Sequence, residues 1–162
     1  MLAFADPTAL QRIDTPTGNM TEASDSRIVK LDVATRLEML DIAQTVLTQL
    51  CTLVGFEDET THYLAVAVRE SVVNAMKHGN QQDESKRVQI QFTLRDRALE
   101  VQVQDEGKGF EPDEVPDPLA PENLLKAYGR GIFFMRQFMD EVTWEFPSRG
   151  GTLVKMLKRL PD

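Results

Sequence analysis

Val88-Gln-Ile-Gln-Phe-Thr-Leu94 and Leu99-Glu-Val-Gln-Val-Gln104 alternate apolar with polar residues on either side of a polar Arg95-Asp96-Arg97 turn. A period of two sends successive side chains to opposite faces of a pleated strand, so the pair predicts an antiparallel hairpin. Upstream, Ile28, Val29, Leu31 and Val33 predict a first strand, and Leu37 to Val54 carries apolar residues at helical spacing up to a stop at Gly55. A second helix is predicted from Asp58-Glu59, acids suited to a helix start, through Met76 to Gly79-Asn80. Downstream, Asp105 to Gly131 is rich in Gly, Pro and acidic residues and reads as a long functional loop or lid. A short helix over Ile132 to Met139 follows, then closing strands over Val142 to Phe146 and Thr152 to Leu157 around a Ser148-Arg-Gly-Gly151 turn. This order predicts an α+β fold: a two-layer sandwich of a mainly antiparallel, mixed sheet with its helices on one face.

The chain has 162 residues, of which 41% are hydrophobic and 27% charged, enough for one domain with its own core. Residues 1–26 hold few apolar anchors and are expected to form a flexible leader, leaving 27–162 as the folded unit. The formal charge of −8 argues against nonspecific binding to nucleic acid or an anionic membrane, both of which need clustered Lys and Arg. An anionic ligand must therefore be held locally, by backbone N–H groups, a few basic side chains and a divalent cation. The one cysteine, Cys51, lies in an apolar helical pattern and reads as core. The N-terminal residues lack a basic segment followed by an apolar one, and no stretch is long enough to span a membrane, so the expected location is the cytoplasm.

On the second helix, Glu70, Asn74 and His78 recur at intervals of four residues and share one face of a helix whose other side is apolar. Taken alone, that stripe fits a solvent-facing surface of an amphipathic helix more readily than a site. Functionally, Asn74 can offer an oxygen to Mg2+, and Glu70 can act as base for a hydroxyl or a water attacking a phosphate. His78 has two readings, a phosphate contact or a partner of the helix C-terminal dipole.

Asp105-Glu-Gly107-Lys-Gly109 ends the hairpin with an acceptor-only carboxylate, suited to an adenine amino group, followed by glycines that let backbone approach a flat ligand. Gly129-Arg130-Gly131 stands directly before a predicted helix, whose free N–H groups and Arg130 can face phosphates. Gly151-Thr152 opens the last strand and fits either a hairpin turn or a hydroxyl near the base. No Walker sequence occurs, and the glycines do not follow a βαβ pattern.

Glu70-x-x-x-Asn74, Asp105-x-Gly107-x-Gly109, Gly129-x-Gly131 and Gly151-Thr152 resemble, in order and spacing, the N, G1, G2 and G3 boxes of Bergerat-type (GHKL) ATPases over roughly residues 28–158. Within that superfamily, the run Arg69 to Asn80 and the segment Gly131 to Val142 resemble the anti-sigma factor serine kinases of the RsbW/SpoIIAB type. The resemblance implies ATP and Mg2+ as cofactors and a sigma factor as partner. It further implies a STAS-domain antagonist as the serine substrate, no direct nucleic-acid contact, and a homodimer as an option. It makes Glu70 the catalytic base, Asn74 the metal ligand and Asp105 the adenine contact. His78, Gly107, Gly109, Gly129, Arg130, Gly131 and Thr152 are then placed around the nucleotide. Two alternatives stay open: a nucleotide-dependent sequestering module without kinase activity, and a stand-alone histidine-kinase-like ATPase domain.

Overall fold

The computed structural model describes residues 27–109 and 130–161. The expectations for the leader, the long loop and Gly129 lie outside those residues. Five strands form one sheet, β1 (Arg27–Ala34), β2 (Arg87–Arg95), β3 (Ala98–Gln104), β4 (Glu141–Glu145) and β5 (Leu153–Arg159), in the order β1-β2-β3-β5-β4. All four pairings are antiparallel. The predicted hairpin is β2–β3, where Arg95 pairs with Ala98 across the two-residue loop Asp96-Arg97, and Arg97 takes a left-handed φ of 55°.

Three helices, α1 (Met39–Val54), α2 (Asp58–Asn74) and α3 (Arg130–Phe138), cover one face of the sheet. Alternation along the strands gives that face Val88, Ile90, Phe92, Leu99, Val101, Val103, Val154 and Met156, all buried, while Gln89, Gln91, Gln102 and Lys155 take the other face. Leu47 from α1 and Leu64, Val68 and Val72 from α2 close the core, each fully buried apolar side chain contributing about 1.5–3 kcal/mol. α1 ends as predicted at Gly55, whose φ of 96° is the left-handed cap conformation, with its N–H on the Cys51 carbonyl at 3.0 Å. Cys51 is fully buried.

Two boundaries differ from the sequence reading in ways that matter for the site. The second helix does not run to its end as a regular helix: Ala75–Gly79 forms a π-helical turn closed by the Asn80 N–H on the Ala75 carbonyl at 2.7 Å. Gln81 and Gln82 then reverse the chain with φ of 57° and 59°. The third helix starts at Arg130 instead of Ile132, so Arg130 and Gly131 form part of its first turn and do not precede it. Gly131 is buried directly against α2, where a longer side chain would collide.

Candidate nucleotide site

α2, the π turn, the end of β3, α3, β4 and the start of β5 enclose a cavity of about 430 Å3, within the range of small-ligand pockets. Glu70, Asn74, His78, Asp105, Gly131 and Thr152 all line it. Residues 35 positions apart in sequence are thereby brought to one place, because the turn after α2 folds back beneath the end of β3.

Asp105 is buried at 5% exposure. Its Oδ1 accepts from the Gly107 N–H at 2.8 Å and the Thr152 N–H at 3.1 Å. Burial raises its carboxyl above the ordinary Asp range, opposed by those two N–H groups and by the charge of Lys86. With Oδ1 occupied, Oδ2 has no protein donor among the described residues and is the acceptor left for a ligand.

Glycines pack tightly around this carboxylate. A Cβ on residue 79 would lie 2.3 Å from the Asp105 carboxyl carbon, one on residue 107 would lie 2.2 Å from the Gly79 carbonyl oxygen, and one on residue 151 would lie 2.0 Å from the Asp105 carbonyl oxygen. Backbone bonds complete the cluster, the Asp105 N–H on the Thr152 carbonyl and the Gly151 N–H on the Gly107 carbonyl at 2.7 Å. Gly107 thus serves to bring segments together and does not line the cavity. Gly109, with φ of 86°, sits against the Phe146 ring.

At the other end, Glu70 and Asn74 lie under the first turn of α3: a Cβ on residue 131 would stand 2.8 Å from Glu70 Oε2 and 3.2 Å from Asn74 Nδ2. Gly131 of α3 therefore sits directly over the carboxylate and amide of α2. Arg130 is exposed at the same helix start, outside the cavity lining.

Three buried side-chain atoms have no hydrogen-bond partner among the described residues: Ser71 Oγ, Trp144 Nε1 and Thr152 Oγ1. All three residues line this cavity. Unpaired buried polar atoms cost free energy, and their collection at one cavity fits a site built for a ligand that has polar edges. No cluster of three or more His, Cys, Asp or Glu suited to a metal occurs among the described residues. Asn74 and Glu70 supply the oxygen donors at the α3 end, a sparse set that suits Mg2+, which takes most of its ligands from phosphate and water.

Sequence reading missed Ser71, Lys77, Gly79 and Trp144 as cavity residues. Ser71 is the one polar residue on the buried stripe of α2, a signal that could have marked it. Trp144 reaches the cavity because β4 pairs it with Val154, two residues beyond Thr152 on the same face.

Residues 33–158 match the family described as the histidine kinase-like ATPase domain. The chain belongs to that family. It is 29% identical over 138 residues to the serine-protein kinase RsbW of Bacillus subtilis, covering 82% of this chain and 85% of the relative. It is also 36% identical over 107 residues to the anti-sigma F factor of Bacillus velezensis, covering 64% of this chain and 71% of the relative. The solved RsbU and RsbW domains of a Mycobacterium tuberculosis protein share the fold, with a TM-score of 0.60 at 16% identity over 83% of this chain and 32% of theirs. Within the histidine kinase-like ATPases this family member is of the RsbW and anti-sigma F type, and nucleotide use follows from the family. No helix among the described residues is long and apolar enough to cross a membrane.

Proposed function

We propose that this family member is an ATP- and Mg2+-dependent anti-sigma factor and serine-protein kinase of the cytoplasm. Its substrate is a serine on a STAS-domain antagonist, and its other partner is a sigma factor. The observation that carries the reading is that Glu70 and Asn74 meet the first turn of α3 at one end of the cavity that Asp105 and Thr152 close at the other. A nucleoside triphosphate needs both ends: a base pocket with an acceptor, and a phosphate end with N–H groups and a proton acceptor.

In this reading Asp105 Oδ2 accepts from the adenine 6-amino group, and the Ser71 and Thr152 hydroxyls meet the polar edges of the base, directly or through water. Asn74 and the α3 turn hold the triphosphate. Bound Mg2+, with Asn74 among its ligands, would offset negative charge on the transferring phosphoryl group. Glu70 takes the proton from the substrate serine as its oxygen bonds to the γ-phosphorus. The bond from that phosphorus to the β–γ bridging oxygen breaks, and ADP leaves with the electron pair.

The names of the relatives favour a kinase over a sequestering module, and Glu70 is the residue that separates the two. With labelled ATP, Mg2+ and a STAS-domain protein, Glu70→Gln is expected to lower the transfer rate by at least 100-fold with ATP affinity held within a few-fold. Equal transfer by Glu70→Gln would refute Glu70 as the base, and absence of transfer by the unmodified protein with bound ATP would favour the sequestering module.

A further inference from the structure

We infer that Asn80 is a positioning residue for the nucleotide site, its carboxamide setting where Asp105 stands against the end of the α2 segment. The inference rests on the reading of the cavity as a nucleotide pocket.

Asn80 is fully buried, with 0% exposure, directly after the π turn. Its Nδ2 donates to Thr35 Oγ1 and to the Arg87 carbonyl, each at 2.9 Å. Its Oδ1 accepts from the Glu106 N–H at 2.7 Å. Both donors and one acceptor position are thus used on three separate segments: the end of β1, the start of β2 and the residue after Asp105. The partners determine which way the amide faces, since an N–H needs the oxygen and a carbonyl needs the nitrogen. Thr35 is held in turn, its hydroxyl donating to the Lys86 carbonyl at 2.8 Å. The Glu106 side chain adds a parallel link, with Oε2 accepting from the Arg87 N–H at 2.6 Å.

The two residues that Asn80 joins flank the site. Gly79, its neighbour, lies against the Asp105 carboxyl with no room for a Cβ, and Glu106 follows Asp105 in the chain. Shifting the Asn80–Glu106 bond therefore moves the acceptor carboxylate relative to α2, which carries Glu70 and Asn74. No other side chain of similar size serves in its place: Asp would set an anion against the Arg87 carbonyl, Leu would leave the Glu106 N–H and the Arg87 carbonyl without this partner, and Ser is too short to reach three segments.

The test uses the full chain, with ATP binding by calorimetry and amide hydrogen exchange without nucleotide. Asn80→Ala is expected to weaken ATP binding tenfold or more and to remove exchange protection at Glu106 and Gly107. Thr35→Val keeps the shape and removes the far acceptor together with its bond to the Lys86 carbonyl, and is expected to cost twofold to fivefold in affinity with partial loss of that protection. A Leu94→Val control, thinning the core at the far end of the β2–β3 hairpin, should lower stability and leave affinity within twofold. The proposal is overturned if folded Asn80→Ala and Thr35→Val bind ATP within twofold of the unmodified protein with Glu106 still protected. If Asn80→Ala does not fold, Thr35→Val decides by the same criterion. Failure of the unmodified protein to bind ATP would refute the nucleotide reading instead, and the exchange measurement would still decide whether Asn80 holds the Asp105 segment.

Discussion

Replacing Asp105 by Asn separates what the residue does for the fold from what it does for the ligand. The amide oxygen can keep both bonds that Oδ1 now accepts, from the Gly107 and Thr152 N–H groups, so the amide nitrogen takes the place of Oδ2. That nitrogen donates where adenine also donates. One unmade hydrogen bond at a buried position costs about 1–3 kcal/mol, which corresponds to a fivefold to roughly 150-fold loss of ATP affinity. Inosine triphosphate carries an acceptor oxygen in place of the 6-amino group, so the same substitution should improve its binding and narrow or reverse the preference for ATP. Stability should move the other way. Burial raises the Asp105 carboxyl above its ordinary value, so the native state binds its proton more tightly than the unfolded chain does. The stability that this protonation supplies is present below the ordinary Asp range and is lost as pH rises through the raised native value. At neutral pH the ionised carboxylate is therefore a burden on the free protein, and Asp105→Asn should raise the melting temperature. That gain should shrink toward zero as the pH is lowered and the native carboxyl takes up its proton. Calorimetric titration with both nucleotides, and melting curves from pH 4 to 8, measure the two halves. Unchanged ATP affinity together with a lower melting temperature at neutral pH would refute the reasoning.

Gly131→Ala would push a methyl group to 2.8 Å from Glu70 Oε2. The flexible carboxylate can turn aside, so stability should fall by less than about 2 kcal/mol while phosphotransfer drops tenfold or more, read as kcat against ATP affinity. Cys51 is fully buried and its thiol is pushed up to about 11 by burial, so native protein at pH 8 should resist a thiol reagent until denaturant is added. Rapid labelling without denaturant would contradict its place in the core. Trp144, the single tryptophan, has its unpaired Nε1 at the cavity wall, so ATP should change its emission with a midpoint matching calorimetry. An unchanged spectrum at saturating ATP would place the ligand away from β4.

The parts of the fold legible in the sequence are those set by local periodicity. Alternation in β2 and β3 and the spacing of Leu64, Val68 and Val72 are near-neighbour patterns, and they predicted the hairpin and α2 to within a few residues. Glu70 and Asn74 were legible for the same reason, being one turn apart on a helix. The insertion of β5 between β3 and β4 was not, because β4 and β5 form a hairpin that could join the sheet by either strand. Trp144 enters the cavity through that choice, which no residue near it records.

The glycines show where local reading stops. The sequence presents Gly79 as a helix stop, Gly107 as a place for backbone to approach ligand, and Gly151 as a turn. In the fold, each is the point where two distant backbones or a backbone and a carboxylate come closer than a Cβ allows. Gly79, Gly107 and Gly151 thus mark contact between segments. The residues proposed to face the ligand are distinguished by a different property, polar atoms left unpaired in a buried wall: Ser71 Oγ, Thr152 Oγ1 and Trp144 Nε1. Hydrogen-bond accounting requires the whole fold, since an atom is unpaired only with respect to everything packed around it. Ser71 could be seen in the sequence as a polar residue on an apolar stripe, but nothing short of the packed cavity shows that its hydroxyl lacks a partner.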